Sequence, residues 1–128
     1  MKYKQSWEEM ESFKGIDLMD SFITSWKQED DSLSFELEVS IWPDSKYYSE
    51  PKEKEYTCYK TGILKFSGFS ILKGLLQSSE VSSSTDPDGS IDFGNIEYFA
   101  KSESGFEIHG EFGQVVILGG EFCFEISA

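Results

Sequence analysis

Residues Leu33 to Ile41 read LSFELEVSI, with Leu33, Phe35, Leu37, Val39 and Ile41 alternating with Ser34, Glu36, Glu38 and Ser40. Successive side chains of a β-strand point to opposite faces, so this order makes one face wholly apolar and the other polar. On a helix the same five apolar residues would be scattered around the axis. The stretch predicts a strand lying on a core, and Pro43 ends it. Just upstream, Ser21 to Lys27 (SFITSWK) is rich in β-branched and aromatic residues, and Gln28 to Asp31 supplies polar turn residues, so the two runs are expected to form a hairpin.

Outward from the hairpin, Pro43 to Lys54 is charged and broken by Pro43 and Pro51, which reads as an exposed loop. Tyr56 to Phe69 reads as extended, with a bulge expected at Gly62. Ser70 to Leu76 fits either a helical turn or a strand, and the polar run Ser78 to Thr85 (SSEVSSST) reads as a mobile loop. Four short runs follow: Ile91 to Ala100, Phe106 to Gly110, Gln114 to Leu118 and Glu121 to Ile126. Ser104-Gly105, Gly110 to Gly113 and Gly119-Gly120 read as the turns of an antiparallel meander. At the N-terminus Ser6 and Glu9 have capping-box spacing, Trp7, Met10 and Phe13 form an apolar stripe, and Gly15 is a plausible stop, so a short helix is predicted there. The expected fold is mainly β, an antiparallel sandwich or open barrel of about seven strands with one short N-terminal helix, over a single domain spanning residues 1–128.

The chain has 128 residues, of which 38% are hydrophobic and 16% aromatic, too much core-forming surface for a globally disordered chain. Acidic residues outnumber basic ones 24 to 11, all eleven basic residues are Lys, and the formal charge is -13. Nucleic acid and anionic membrane surfaces are repelled by such a charge, and without Arg there is no bidentate fork for phosphate; a basic protein is the favoured class of partner. MKYKQSWEEM lacks the apolar core and small-residue cleavage site of a secretory signal, which gives a cytoplasmic expectation. Cys58 and Cys123 have neither zinc-site nor redox spacing and read as buried free thiols.

The sharpest local motif is Asp86-Pro87-Asp88-Gly89-Ser90-Ile91-Asp92, with Glu97 five positions on, which spaces oxygen donors as a calcium loop does. It puts Ile91 where such a loop needs its turning glycine, so an acidic turn is the plainer reading and no metal or other cofactor is expected. His109 stands in the strand FEIHG beside Glu107 with no nucleophile motif around it, and reads as solvent-facing. Glu36 and Glu38 share the polar face of one strand, the ordinary content of such a face. No enzymatic activity is expected. From Gly74 to Ala128 ten acids stand against Lys101 alone. That acidic pole makes Glu107, Glu111 and Glu121 candidate partner-binding residues, with Trp42, Tyr47 and Tyr48 as candidate aromatic anchors. A small ligand- or calcium-binding β-domain is the alternative.

The order of segments GIDLMDSFITSW, the long alternating strand, TGILKFSGF, SIDFGNIEYF and GEFGQVVILGGEFCFEIS resembles small acidic all-β immunity proteins found beside bacterial polymorphic toxins, over most of the chain from Gly15 onward. The resemblance implies a cytoplasmic, non-enzymatic protein that neutralises a cognate toxin, many such toxin domains being basic. It carries over no individual functional residue.

Overall fold

The computed structural model describes residues 4–48, 50, 58–77, 84–85 and 91–126. The strands are β1 (Lys4–Ser6), β2 (Ile16–Glu29), β3 (Ser32–Ile41), β4 (Cys58–Lys73), β5 (Ser84–Thr85), β6 (Ile91–Asp92), β7 (Ile96–Ser102), β8 (Gly105–Gly110) and β9 (Gly113–Ile126). Seven of them form one antiparallel sheet in the order β1-β7-β8-β9-β4-β3-β2, while β5 and β6 pair with each other. The alternating stretch is β3, and its five apolar side chains are all fully buried. The predicted hairpin joins β2 to β3 through Asp30 and Asp31, with Glu29 opposite Ser32 and Asp30 at φ 45°.

The sheet is folded over on itself. β4 pairs with β3 as far as Ser67 and with β9 along nearly its whole length, but the β4–β9 register slips between Phe69 and Ile71. At the slip Gly119 and Gly120 have φ values of 80° and 79°, the left-handed region that favours glycine. Both long strands therefore bend at one corner and serve two layers. The first layer is β2, β3, the early part of β4 and the late part of β9. The second is the rest of β4, the start of β9, then β8, β7 and β1. Strands that switch layers at bulges make such corners in sandwiches. At the far side the layers meet again, because Ile23 N donates to Gly94 O at 2.8 Å and Phe93 N donates to Ile23 O at 2.9 Å.

Aromatic side chains fill the space between the layers. Phe66 of the first layer lies 5.6 Å from Phe99 and 5.2 Å from Phe106, and Phe35 lies 4.7 Å from Phe112. Phe112 is in the loop between β8 and β9 yet is fully buried. It meets Trp26, whose indole N–H donates to Leu76 O at 3.0 Å, while Leu76 N donates back to Phe112 O at 2.8 Å.

Several local expectations change. The N-terminal helix is two successive 3-10 turns, Trp7–Glu9 and Glu11–Phe13, separated by extended Met10, and Ser6 makes no side-chain cap because it belongs to β1 opposite Ala100. Trp7, Met10 and Phe13 recur every three residues, the period of a 3-10 turn, and all three are buried; Phe13 packs 4.7 Å from Phe124. Gly62 carries no bulge: it sits in unbroken register between Leu37 and Ile126, where a Cβ would come within 2.7 Å of Val39 Cγ2. Gly119-Gly120 is the corner of one continuous strand and not a turn between two. Ser70 to Lys73 is strand, the end of β4. Cys58 is buried as expected, whereas Cys123 is exposed, because it falls on the outer face of β9. Of the expected mobile loop, Ser84–Thr85 is β5 and residues 78–83 lie outside the described residues.

Candidate functional site: the outer face of the acidic layer

Alternation along β8 turns Phe106 and Ile108 into the core and leaves Glu107 and His109 on the outer face. Glu107 stands between Ala100 of β7 and Val116 of β9. Its Oε2 lies 2.8 Å from His109 Nε2, and the His109 ring lies 4.9 Å from that of Tyr98. The expected solvent-facing histidine is thus half-buried and tied to a carboxylate and an aromatic ring.

The other two candidate acids lie elsewhere. Glu111 is exposed in the β8–β9 loop, and Glu121 is exposed at the corner opposite Ser67. Ten residues of chain separate them, and that path runs through the β8–β9 loop and bends at the Gly119-Gly120 corner. The three acids are strung along the length of the second layer and around its corner. The candidate aromatics occupy a different region, after β3. Trp42 is 44% exposed, but Tyr47 and Tyr48 are half-buried against the core. Ser45 holds that segment together: its N–H donates to Trp42 O, its carbonyl accepts from Tyr48 N, and its hydroxyl accepts from Tyr47 N. A cleft of about 500 Å³ beside it is lined by Glu11, Lys14, Asp44, Lys46 and Tyr47, with opposite charges that offset one another. Residues 49 and 51–54 of the expected loop lie outside the described residues.

Other sequence candidates resolve as ordinary surface. Glu36 and Glu38 face outward; Thr24 donates to the Glu36 carboxylate at 3.3 Å and Thr61 to that of Glu38 at 3.0 Å. Asp86 to Ser90 of the calcium-like motif lie outside the described residues, and among the described residues no three His, Cys, Asp or Glu come together to hold a metal. The Lys27 ammonium, hydrogen-bonded to Glu29 at 2.5 Å, is raised above its ordinary pKa and the Glu29 carboxyl is lowered by the same contact. Both are fully exposed, so the pair contributes little to stability. The Cys123 thiol is pushed up by lost hydration on the sheet and by the neighbouring Glu125 carboxylate. No helix among the described residues is long and apolar enough to cross a membrane.

Comparison with protein-family models, curated proteins and solved structures gives no match.

What sequence reading passed over on this face is its apolar component. Ile71 is 42% and Val116 36% exposed, and Leu118, half-buried, lies beside Ile71 across the β4–β9 pair. The signal was present in Val115 to Leu118 (VVIL), an unbroken apolar run. A strand with one wet face alternates, so an unbroken run means that the outer face is apolar too.

Proposed function

We propose that this chain is a non-enzymatic binding protein whose partner is a basic protein and, more specifically, a cytoplasmic immunity protein that neutralises a cognate basic bacterial toxin. One observation carries the reading: every described acidic side chain lies exposed or half-buried on the outside of the double layer. With a net charge of -13 and no Arg, the molecule has a charge suited to attracting cations. Among the described residues the buried polar residues are Ser21 and Ser40, and the Ser21 hydroxyl is used structurally: it donates to Asp17 O at 2.8 Å and accepts from the Ser40 backbone N–H at 3.0 Å. Catalytic sites typically hold titratable groups whose pKa burial has displaced. Among the described residues the displaced groups are Lys27, Glu29 and Cys123, and all three stand on exposed strand faces, which supports a binding surface over a buried reaction centre.

The reading is tested with the product of the neighbouring gene. A basic product that arrests growth when expressed alone is expected to become harmless when this chain is co-expressed, and the purified proteins are expected to form a complex. The association rate should fall by about tenfold or more as NaCl rises from low to physiological strength and beyond, because long-range attraction is screened. Replacing Glu107, Glu111 and Glu121 together by Lys should slow association by a similar factor. A toxic neighbour that is neither bound nor neutralised would remove the immunity reading.

A further inference from the structure

We propose that a shallow concavity on the outer face of β7, β8 and β9 is the anchor point for the partner, and that it takes a single lysine or arginine side chain; this rests on the reading of the partner as a basic protein. Two neighbouring rungs of the sheet build it. In one, Ala100, Glu107, Val116 and Lys73 stand in a row across β7, β8, β9 and β4; in the other, Ser102, Gly105, Leu118 and Ile71 do. In both rungs β7 contributes a small side chain while β9 contributes a branched apolar one, and Gly105 adds no side chain at all. The surface therefore drops from Val116 and Leu118 toward Ala100 and Ser102. The resulting hollow of about 280 Å³ is lined by Ala100, Ser102, Ser104, Glu107, Val116 and Leu118.

Size and chemistry together choose the occupant. Small-molecule sites run from roughly 300 to 1,000 Å³ and enclose most of their ligand, whereas this hollow is smaller and open, the scale of one long side chain. Its apolar wall, continued by Ile71, suits an aliphatic stem, and the Glu107 carboxylate at its side suits a cationic head. Lysine and arginine combine those two parts. The carboxylate is already oriented by His109, whose ring itself packs at a tilt against Tyr98, so ordering it on binding costs little. A charge-assisted hydrogen bond to it is stronger than a neutral one. A second copy of this chain is disfavoured as the occupant, since it would bring a charge of -13 against a charge of -13.

The test is a titration of the isotopically labelled full chain with a tetra-arginine peptide at low salt, followed by amide NMR. The largest shifts are expected at residues 100–107 and 116–118, with Glu107→Gln weakening binding about fivefold or more while Glu111→Gln and Glu121→Gln each change it by less than about twofold. Glutamine keeps the shape and can still accept from His109. Should Glu107→Gln disturb the spectrum at large, Val116→Thr tests the apolar wall without altering charge, and a loss of about twofold or more is expected. Shifts scattered over all acidic positions, with equal losses for Glu107→Gln and Glu121→Gln, would overturn the anchor and leave the basic-partner reading standing. Absence of any peptide binding at low salt would overturn both. Shifts at the same residues that grow with protein concentration alone would assign the hollow to a second copy and overturn the proposal.

Discussion

Phe35 and Phe112 touch in the core, at 4.7 Å, but only one of them announces itself in the sequence. Phe35 is read from period-two alternation. Phe112 follows Glu111 between two glycines, the grammar of an exposed hairpin loop, and it is buried because the loop closes over Trp26, a contact between residues 86 positions apart that no local pattern encodes. Removing either ring leaves a cavity among aromatics held by two layers, so Phe35→Ala and Phe112→Ala should each cost about 3–5 kcal/mol in urea unfolding. A loss below about 1 kcal/mol at Phe112 would mean that the loop stands open. The two thiols make a second contrast at this scale. Cys123 is exposed and Cys58 buried, so a disulfide reagent should modify one thiol in the folded protein and the second only after unfolding. Because the thiolate is the reacting form and the Cys123 pKa is raised, its modification should be slow at neutral pH and accelerate at pH values above those at which an ordinary thiol does so. Glu125→Gln removes one cause of that rise and should speed the reaction at a fixed pH. An unchanged rate would place the cause in lost hydration alone.

At the scale of elements, the strands were legible and the corner was not. A glycine pair at positive φ serves a tight turn and a bulge equally well, so Gly119-Gly120 reads as a break between two short strands. What makes it a bend in one strand is its partner: β4 carries its own irregularity alongside, and the pairing resumes beyond it with Ile71 opposite Leu118. The N-terminal segment differs from expectation for a related reason. Three-residue spacing of Trp7, Met10 and Phe13 is compatible with an α-helical stripe, but pairing of Ser6 with Ala100 removes the cap and the 3-10 period fits the three buried side chains better. The corner glycines can be told apart by substitution. A Cβ on Gly119 meets nothing nearer than 3.7 Å, so Gly119→Ala should cost only the left-handed backbone penalty of about 1–2 kcal/mol. On Gly120 it would come within 2.4 Å of Ser67 O, so Gly120→Ala must also force β4 and β9 apart and should be the more damaging of the two. Comparison of their denaturation midpoints decides the matter, and equal losses would mean that the bend is not held by the close approach.

For the molecule as a whole, the acidic balance that favours a basic partner also acts on the fold itself. Its size was legible in composition, but its placement was not: the sequence suggested one pole after Gly74, whereas Glu107, Glu111 and Glu121 lie along and around an outer layer whose centre, at Val116 and Leu118, is apolar. The 24 acids and 11 lysines leave a large uncompensated charge on a small surface, and the compact state holds those like charges closer together than the unfolded chain does. An exposed pair such as Lys27–Glu29 offsets little of this repulsion. Added salt should therefore stabilise the free protein. As NaCl rises from about 10 mM to 500 mM the screening length shrinks from roughly 30 Å to under 5 Å, and the thermal midpoint should climb by about 3 °C or more. The rise should level off once screening reaches neighbouring charges, and KCl should reproduce it, which separates screening from salts that act by exclusion from the surface. The same titration should weaken the complex with a basic partner. Opposite signs of salt dependence in the free and bound protein are thus the expected signature, because one charge distribution repels itself and attracts its partner. A midpoint that falls with NaCl would mean that attractive pairs, not net repulsion, dominate the folded surface, and the electrostatic case for a basic partner would lose its foundation.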